Sequence, residues 1–382
     1  MRLNPVGASL LAPFTVLYGL LTDAWHGLYG RGWRKSVTFN RFLIGVGNLS
    51  VGGTGKTPHV EYLVRLLQPH VAVATLSRGY GRQTRGYRLV GPTDSAATVG
   101  DEPLQFYQKF SKNVAVAVGE QRALAIPCLL RDRPQTQVIV LDDAFQHRAV
   151  QPALNLLLTE YNALFLNDYP LPSGRLRERR HGAQRADAVL VTKCPPALSE
   201  AQRASIGAQI RPYLREKIPI FFTKFYSGEP VALASDFSEN RDNSFPVSAG
   251  RSAEKTRNPA VLLVTGLANP DPLEAHVREN YGLARHLRFA DHHAYTRQDL
   301  EKMARALDAL PGTEKVVLTS EKDAVKLRIL LAVHPETLCW PVWYVPIGVE
   351  FLFGEGPRFD AWVLEEIRRF AVLSGPSRNF SA

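Results

Sequence analysis

Lys56 and Thr57 follow a run of small residues, Gly52-Gly53-Thr54-Gly55, and together these are the residue types that hold a polyphosphate. Glycines let successive backbone N–H groups curl around an anion, and the positive end of a following helix faces it. A lysine ammonium at that place reaches the β- and γ-phosphates, and the neighbouring hydroxyl takes Mg2+. A second group agrees with the first. Val138-Ile-Val-Leu ends in Asp142 and Asp143, and in a phosphate-loop protein a strand ending in carboxylates holds the Mg2+ shell. On this reading ATP and Mg2+ are the cofactors, residues 52–57 cradle the nucleotide, and Thr57, Asp142 and Asp143 set the metal. The strict pattern begins with glycine where this chain has Ser50. The competing readings are a glycine turn with a surface lysine and a strand with an acidic turn.

Particular elements must position these groups. Phe42–Val46 is an apolar run that reads as a buried strand entering the loop. Val60, Leu63, Val64 and Leu67 recur at helical spacing behind it, and Pro58 suits a first helical turn. Strand, glycine loop and helix are the context that the motif requires. Val71–Leu76 is a second strand running into Ser77-Arg78-Gly79-Tyr80-Gly81-Arg82, at the strand end where parallel sheets bind ligands. A loop through Val99–Pro103 follows, then a strand at Val114–Val118 and a helix over Arg122–Leu130. Further strands are expected at Leu154–Leu158, Ala188–Val191 and Ile218–Phe225. This alternation predicts an α/β protein with a mostly parallel sheet. The polar stretch Ser235–Asn258 reads as a loop near a domain boundary. Ala260–Gly266 then opens a second α/β unit. Helices are predicted near 273–281 and 298–310, and strand Val316–Thr319 leads into Ser320-Glu-Lys-Asp-Ala-Val-Lys-Leu327. That unit has no phosphate loop of its own. The expected division is 1–35 for an N-terminal helix, 36–230 for the phosphate-loop domain and 231–382 for a smaller second domain.

At 382 residues the chain is long for a single core, and its composition argues against long disorder. Cys128, Cys194 and Cys339 lack metal-site spacing and make no even disulfide set, which points to a reducing compartment, with Cys128 and Cys339 in apolar, core-like surroundings. The net charge of +10 calls for an anionic partner without choosing among nucleic acid, acidic lipid and a phosphorylated substrate. The N-terminus narrows the choice. Between Arg2 and Asp23 there is no charged residue, and Leu10, Phe14, Leu17, Leu21, Trp25 and Leu28 recur at helical spacing before Arg31, Arg34 and Lys35. A spanning helix needs about 20 predominantly apolar residues, which this segment barely offers. A signal peptide wants a small-residue cleavage site, which it lacks. An interfacial helix with aromatic anchors and a basic flank fits best, against the alternative of a helix packed on the core. The run Arg175, Arg177, Arg179 and Arg180 is either a solvated charged face or an anion site.

In this order the motifs resemble the tetraacyldisaccharide 4'-kinase family of lipid A biosynthesis. The resemblance rests on Gly47-Asn-Leu-Ser-Val-Gly-Gly-Thr-Gly-Lys-Thr57, Ser77-Arg-Gly-Tyr80, Gly100-Asp-Glu-Pro103, Leu141-Asp-Asp-Ala-Phe-Gln-His147, Leu176-Arg-Glu178, Asp291-His-His293 and Glu321-Lys-Asp323. Two positions depart from the family pattern: Ala144 stands in place of glycine and Ser320 in place of threonine. The resemblance implies two α/β/α domains with the active site in the cleft between them. It implies transfer of the ATP γ-phosphate to the 4'-hydroxyl of an acylated disaccharide 1-phosphate lipid, by a peripheral enzyme at the cytoplasmic face of the bacterial inner membrane, on an anionic surface. It also implies that Asp101 is the base, paired with a histidine assigned to His292 with His293 in reserve, and that Lys56 acts on the transferring phosphate. Arg78, Arg175, Arg177 and Glu178 become substrate or headgroup contacts. A ParA-like or metallochaperone switch ATPase is the other class with such a loop, but its signature lysine before the double glycine is Val51 here. A nucleic-acid-binding ATPase would rest on charge alone. Few aromatics interleave with the arginines and no recognition-helix or zinc-finger signature is present, so no nucleic acid is expected.

Overall fold

The computed structural model describes residues 11–233, 259–334 and 340–373. The polar stretch 235–258, Leu10 and Cys339 therefore lie outside the described residues. In chain order the first elements are α1 (Ala12–Gly30), β1 (Phe42–Asn48), α2 (Lys56–Leu67), β2 (Val73–Ser77), β3 (Arg88–Leu89), α3 (Ala96–Val99) and α4 (Asp101–Phe110). Then come β4 (Ala115–Val118), α5 (Arg122–Asp132), β5 (Val138–Asp142), β6 (Leu154–Glu160), β7 (Ala188–Thr192), α6 (Glu200–Ile210), β8 (Ile220–Ser227) and β9 (Val231–Ala232). The remainder is β10 (Ala260–Thr265), α7 (Asp271–Asn280), β11 (Leu283–Arg288), α8 (Arg297–Asp308), β12 (Lys315–Ser320), α9 (Glu321–Ala332), β13 (Val342–Val345), β14 (Ile347–Phe351) and α10 (Gly356–Leu373).

The larger sheet has nine strands in the order β14-β8-β7-β6-β1-β5-β2-β4-β3. β1 lies between β5 and β6, parallel to both, with Val46 beside Asp142. β2 is likewise parallel to β4 and β5. A parallel sheet delivers the C-terminal ends of its strands to one edge, so the glycine loop, Asp142–Asp143 and Ser77–Arg82 emerge together. The smaller sheet runs β11-β10-β12-β13-β9, parallel except for β9 on β13. Its core residues alternate between two faces. Leu262, Val264 and Val317 belong to one apolar cluster, and Val261, Leu263, Val316 and Leu318 to another. A strand buried on both faces is what an α/β/α sandwich requires.

The chain forms two compact units, Met1–Asp94 with Phe106–Phe225 and Val349–Ala382, and Ser95–Gln105 with Tyr226–Gly348. This differs from a single boundary near residue 230 in two ways. α10 belongs to the first unit, because Phe359 meets the Phe221 ring at 5.2 Å and Asp360 accepts from the Tyr62 hydroxyl at 2.7 Å. Residues 95–105 belong to the second unit, and Asp101 with them. Nor is Asp101 in a loop: it opens α4, with Glu102 beside it in the first turn, where helix dipoles favour acidic residues. Pro103 sits within that first turn, where its missing N–H has no intrahelical partner to lose.

α1 docks on the first unit by its polar side. Thr15 Oγ1 bonds Ser173 Oγ at 2.6 Å, Tyr18 donates to the Arg177 carbonyl at 2.9 Å, and Asp23 pairs with Arg179 at 3.1 Å. The apolar stripe faces outward, with Phe14 62%, Leu17 55% and Leu21 61% exposed. Among the described residues no helix is long and apolar enough to cross a membrane. Cys194 is buried, while Cys128, expected in the core, is only half-buried, on α5.

Candidate active site

Within the first unit the glycine loop closes on itself. Gly52 and Gly55 sit at φ +111° and +87°, where a side chain is strained. Gly55 also faces the Phe225 ring so closely that a Cβ would collide with its Cζ. α2 starts at the next residue, Lys56, with Thr57 in its first turn. Ser50, in place of the first glycine, pairs with Leu176 in an antiparallel bridge, flanked by bonds from Val51 N–H to the Arg175 carbonyl and from Arg177 N–H to the Leu49 carbonyl, each 2.7 Å. The loop is thus stitched to the arginine-rich segment, a contact that spacing does not reveal.

That stitch brings Arg177 to Asp143. Arg177 Nη1 lies 2.9 Å from both Asp143 oxygens, and Lys56 Nζ lies 3.4 Å from Oδ1. Burial pushes the Asp143 carboxyl up, but the charges of Lys56 and Arg177 outweigh it and hold the carboxyl below its ordinary value. Lys56 also donates to Asn48 Oδ1 at 3.2 Å, and the Asn48 amide donates to the Ser50 carbonyl at 2.7 Å. Asp142 is buried at the end of β5, and its carbonyl accepts from Arg122 at 3.0 Å. Burial lowers the Arg122 pKa to about 10, opposed by Asp142 and Asp143, so the guanidinium stays charged. Ala144 is buried, and its N–H donates to the Val46 carbonyl at 3.2 Å, so the fold accommodates a methyl at this position. Among the described residues no three His, Cys, Asp or Glu side chains gather as a metal cage. Mg2+ does not ask for one, since it keeps waters and phosphate oxygens and takes one or two carboxylates. Thr57, Asp142 and Asp143 are an all-oxygen donor set of that kind.

The other residues singled out in this unit divide. Arg78 is exposed, and its charge, with that of Arg122 and after burial itself, lowers the His147 pKa to about 4. Arg175 is engaged by Asp168 at 2.8 Å. Glu178 is 1% exposed and accepts from Gln146 at 2.9 Å and Arg185 at 2.7 Å, with His26 at 3.3 Å. It is a buried strut under the loop, because Gln146 passes the contact on to the Asn48 carbonyl at 2.9 Å. The arginine run is therefore largely neutralised within the protein, Arg179 included, instead of forming a solvated face.

His59, one turn into α2, is a part that sequence reasoning passed over. Its Nδ1 lies 2.8 Å from the Gly55 carbonyl and its Nε2 3.1 Å from Thr223 Oγ1. A carbonyl only accepts, so Nδ1 carries the proton and Nε2 accepts from the threonine. Burial lowers the His59 pKa from 6.5 to about 4. Above pH 6.5 the ring is neutral folded or unfolded. As pH falls from 6.5 towards 4 the unfolded chain takes up a proton that the folded one refuses, and stability is lost over that window. The melting temperature of His59→Gln should consequently fall less between pH 6.5 and 4 than that of the native protein. Identical pH slopes would show that His59 is not buried neutral beneath the loop.

In the second unit, Asp101 receives two donors. His292 Nδ1 lies 3.0 Å and Lys326 Nζ 2.9 Å from the same oxygen, Oδ2. His292 holds a left-handed backbone, φ +58°, and its N–H donates to Asp291 Oδ1 at 3.0 Å. Its Nε2 faces Lys322 Nζ at 3.1 Å, and Lys322 pairs with Asp291 at 2.9 Å. His293 turns away to Asp299 at 3.0 Å and stacks on Phe289, so the histidine on Asp101 is His292. Ser320 caps α9 by accepting from the Asp323 N–H at 3.1 Å, the bond that threonine would make there. Asp323 in turn accepts from the Gly266 N–H at 2.9 Å, which ties α9 to the end of β10. Lys322, within the quoted Glu321-Lys-Asp323 motif, and Lys326 were given no role from sequence. Their signal is the spacing, four residues apart and hence on one face of α9.

The family model for tetraacyldisaccharide-1-P 4'-kinases matches residues 7–368. A tetraacyldisaccharide 4'-kinase of Bacteroides thetaiotaomicron is 38% identical over 362 residues, covering 94% of this chain and 93% of the relative. One of Flavobacterium johnsoniae is 39% identical over 359 residues, covering 94% and 97%. Among solved structures, LpxK from Aquifex aeolicus in complex with ATP superposes with a TM-score of 0.71 at 25% identity, covering 94% of this chain and 99% of that one.

Proposed function

The chain belongs to the tetraacyldisaccharide-1-P 4'-kinase family, and from that premise we propose how its residues divide the work. The reaction is transfer of the ATP γ-phosphate to the 4'-hydroxyl of tetraacyldisaccharide 1-phosphate in lipid A biosynthesis, with ATP and Mg2+ as cofactors. Phosphoryl transfer asks the protein chiefly for positioning and charge neutralisation. Lys56 and the backbone of residues 52–55 take the phosphates. Thr57, Asp142 and Asp143 would hold Mg2+, which when bound spreads the charge of the phosphate oxygens. Arg177 stands with Lys56 on Asp143 and keeps that carboxylate ionised and aimed. The 4'-hydroxyl is a poor nucleophile at neutral pH, and Asp101 takes its proton, with His292 orienting the carboxylate. The observation that carries the assignment is the 3.0 Å contact of His292 Nδ1 with Asp101 Oδ2. Arg78, the exposed cation at the loop edge, is the remaining candidate for a substrate phosphate, since Arg175, Arg177 and Glu178 are engaged within the protein.

The outward stripe of α1 is our candidate for the contact with an anionic membrane surface at the cytoplasmic face of the inner membrane. Arg34 stacks on Trp25 at 3.9 Å and adds positive charge beside the apolar face, an arrangement suited to acidic headgroups. The test is label transfer from ATP to tetraacyldisaccharide 1-phosphate in vesicles of phosphatidylethanolamine and phosphatidylglycerol. A variant with Phe14, Leu17, Leu21 and Trp25 all changed to serine keeps the inward polar contacts. It should melt like the native protein, co-sediment at least about tenfold less and phosphorylate vesicle-borne lipid correspondingly less, because each inserted side chain is worth about 1.5–3 kcal/mol. Unchanged co-sedimentation would remove α1 as the membrane contact. Absence of labelled lipid with the native enzyme would remove the acceptor.

A further inference from the structure

We propose that Lys322 is the positioning residue that sets which nitrogen of His292 carries the proton, an inference that rests on the reading of Asp101 as base. The ring is held at both ends, by Asp101 Oδ2 at 3.0 Å from Nδ1 and by Lys322 Nζ at 3.1 Å from Nε2. An ammonium has three donors and no acceptor, so the nitrogen facing it presents a lone pair. Nε2 is therefore bare and Nδ1 bears the hydrogen, the arrangement in which His292 donates to the Asp101 carboxylate. The opposite tautomer would set an Nε2 hydrogen against the ammonium and a bare Nδ1 against a carboxylate, a mismatch at both ends.

Among the described residues, the charged groups about this ring include Asp101 on α4, Asp291 on the preceding loop, Lys322 on α9 and, through Asp101, Lys326 on the same helix. Asp291 serves His292 and Lys322 at once, since Oδ1 accepts from the His292 N–H at 3.0 Å and from Lys322 at 2.9 Å. The side chain of Lys322 is thereby pinned where the ring needs it. Lys326 has a different part. It reaches Asp101 Oδ2 at 2.9 Å, donates to the His293 carbonyl at 3.1 Å, and is 8% exposed. Both donors to Asp101 thus fall on Oδ2. Among the described residues Oδ1 has no such donor, which assigns it to the hydroxyl proton. His292 neither gains nor loses a proton in this scheme. It is a fixed donor whose direction Lys322 dictates.

The test reads the tautomer directly, on full-length enzyme without substrate, by long-range 1H–15N correlation of 15N-histidine. The His292 signal is identified by its loss in His292→Gln. The native enzyme should show Nδ1 protonated and Nε2 bare, and so should Lys322→Gln, whose amide still donates. In Lys322→Glu both nitrogens face carboxylates, which only accept, so Nε2 should gain a hydrogen while Nδ1 keeps its own. kcat should fall by about tenfold or more in Lys322→Glu with KM for ATP within about twofold, and stay within about threefold of native in Lys322→Gln. An Nε2-protonated native ring, native kcat in Lys322→Glu, or equal losses in the two variants would each overturn the proposal. Should Lys322→Glu fail to fold, Lys322→Met takes its place: without a donor facing Nε2 a hydrogen should appear there in part of the population, and a spectrum identical to native would overturn the proposal. The underlying reading fails separately: full activity of Asp101→Asn would end Asp101's role as base, whatever the tautomer.

Discussion

Lys56→Ala lowers kcat by at least about 10²-fold and leaves the melting temperature close to native. The loss is scaled on removal of one preorganised donor to the charge that develops in the transition state. The fold survives because the buried face of α2 is Val60, Leu63, Val64 and Leu67, while Lys56 lies at the mouth of the loop. Asp143 also keeps its pairing with Arg177 at 2.9 Å, so the substitution orphans no carboxylate. Lys56→Arg is expected to rescue little, since a planar guanidinium does not replace a compact ammonium among closely turned backbone. The measurement is kcat with saturating ATP and lipid, paired with thermal melting. Near-native turnover in Lys56→Ala would mean that the loop does not neutralise the transferring phosphate.

The second large effect belongs to Asp101 and His292. Asp101→Asn should lower kcat by roughly 10²–10³-fold with little change in KM for ATP, because the amide cannot take the hydroxyl proton. Asparagine is preferred to alanine here. Lys326 is nearly buried against Oδ2, and alanine would leave that ammonium without its partner, mixing a stability loss into the kinetics. His292→Ala should cost about tenfold. Combined with Asp101→Asn it should cost little further, because an orienting donor has no work once the base is gone. If His292 only packs its loop, the losses multiply in the double variant and the melting temperature falls. Multiplicative losses would falsify the pairing as a functional unit.

The phosphate loop was legible in the sequence because everything that makes it is local. An apolar strand, glycines at positive φ, a lysine–threonine pair and a helical period lie within one strand–turn–helix, and local geometry follows from local chemistry. The strand ending at Asp142 and Asp143 was legible for the same reason. So was the inside-out character of α1, whose apolar stripe repeats every turn. Val99–Pro103 misled because Gly100 and Pro103 read as loop residues. Only the surrounding fold shows that Gly100 turns the chain at φ +95° and that the proline sits where a helix tolerates it. Pairing partners were beyond reach. Nothing in Arg175-Leu-Arg-Glu-Arg-Arg180 says that Leu176 bridges Ser50, that Arg177 meets Asp143, or that Glu178 is sealed under Gln146. Aromatic contacts of Phe359 with Phe221 likewise return α10 to the first unit from the far end of the chain. Sequence alone determined which strands and helices frame the phosphate loop and the Asp142–Asp143 strand end, because propensity and periodicity act over a few residues. The tertiary structure decided which charge answers which, Lys326 and His292 on Asp101 above all, because a charge contact depends on separation in space and the chain's own order does not record it.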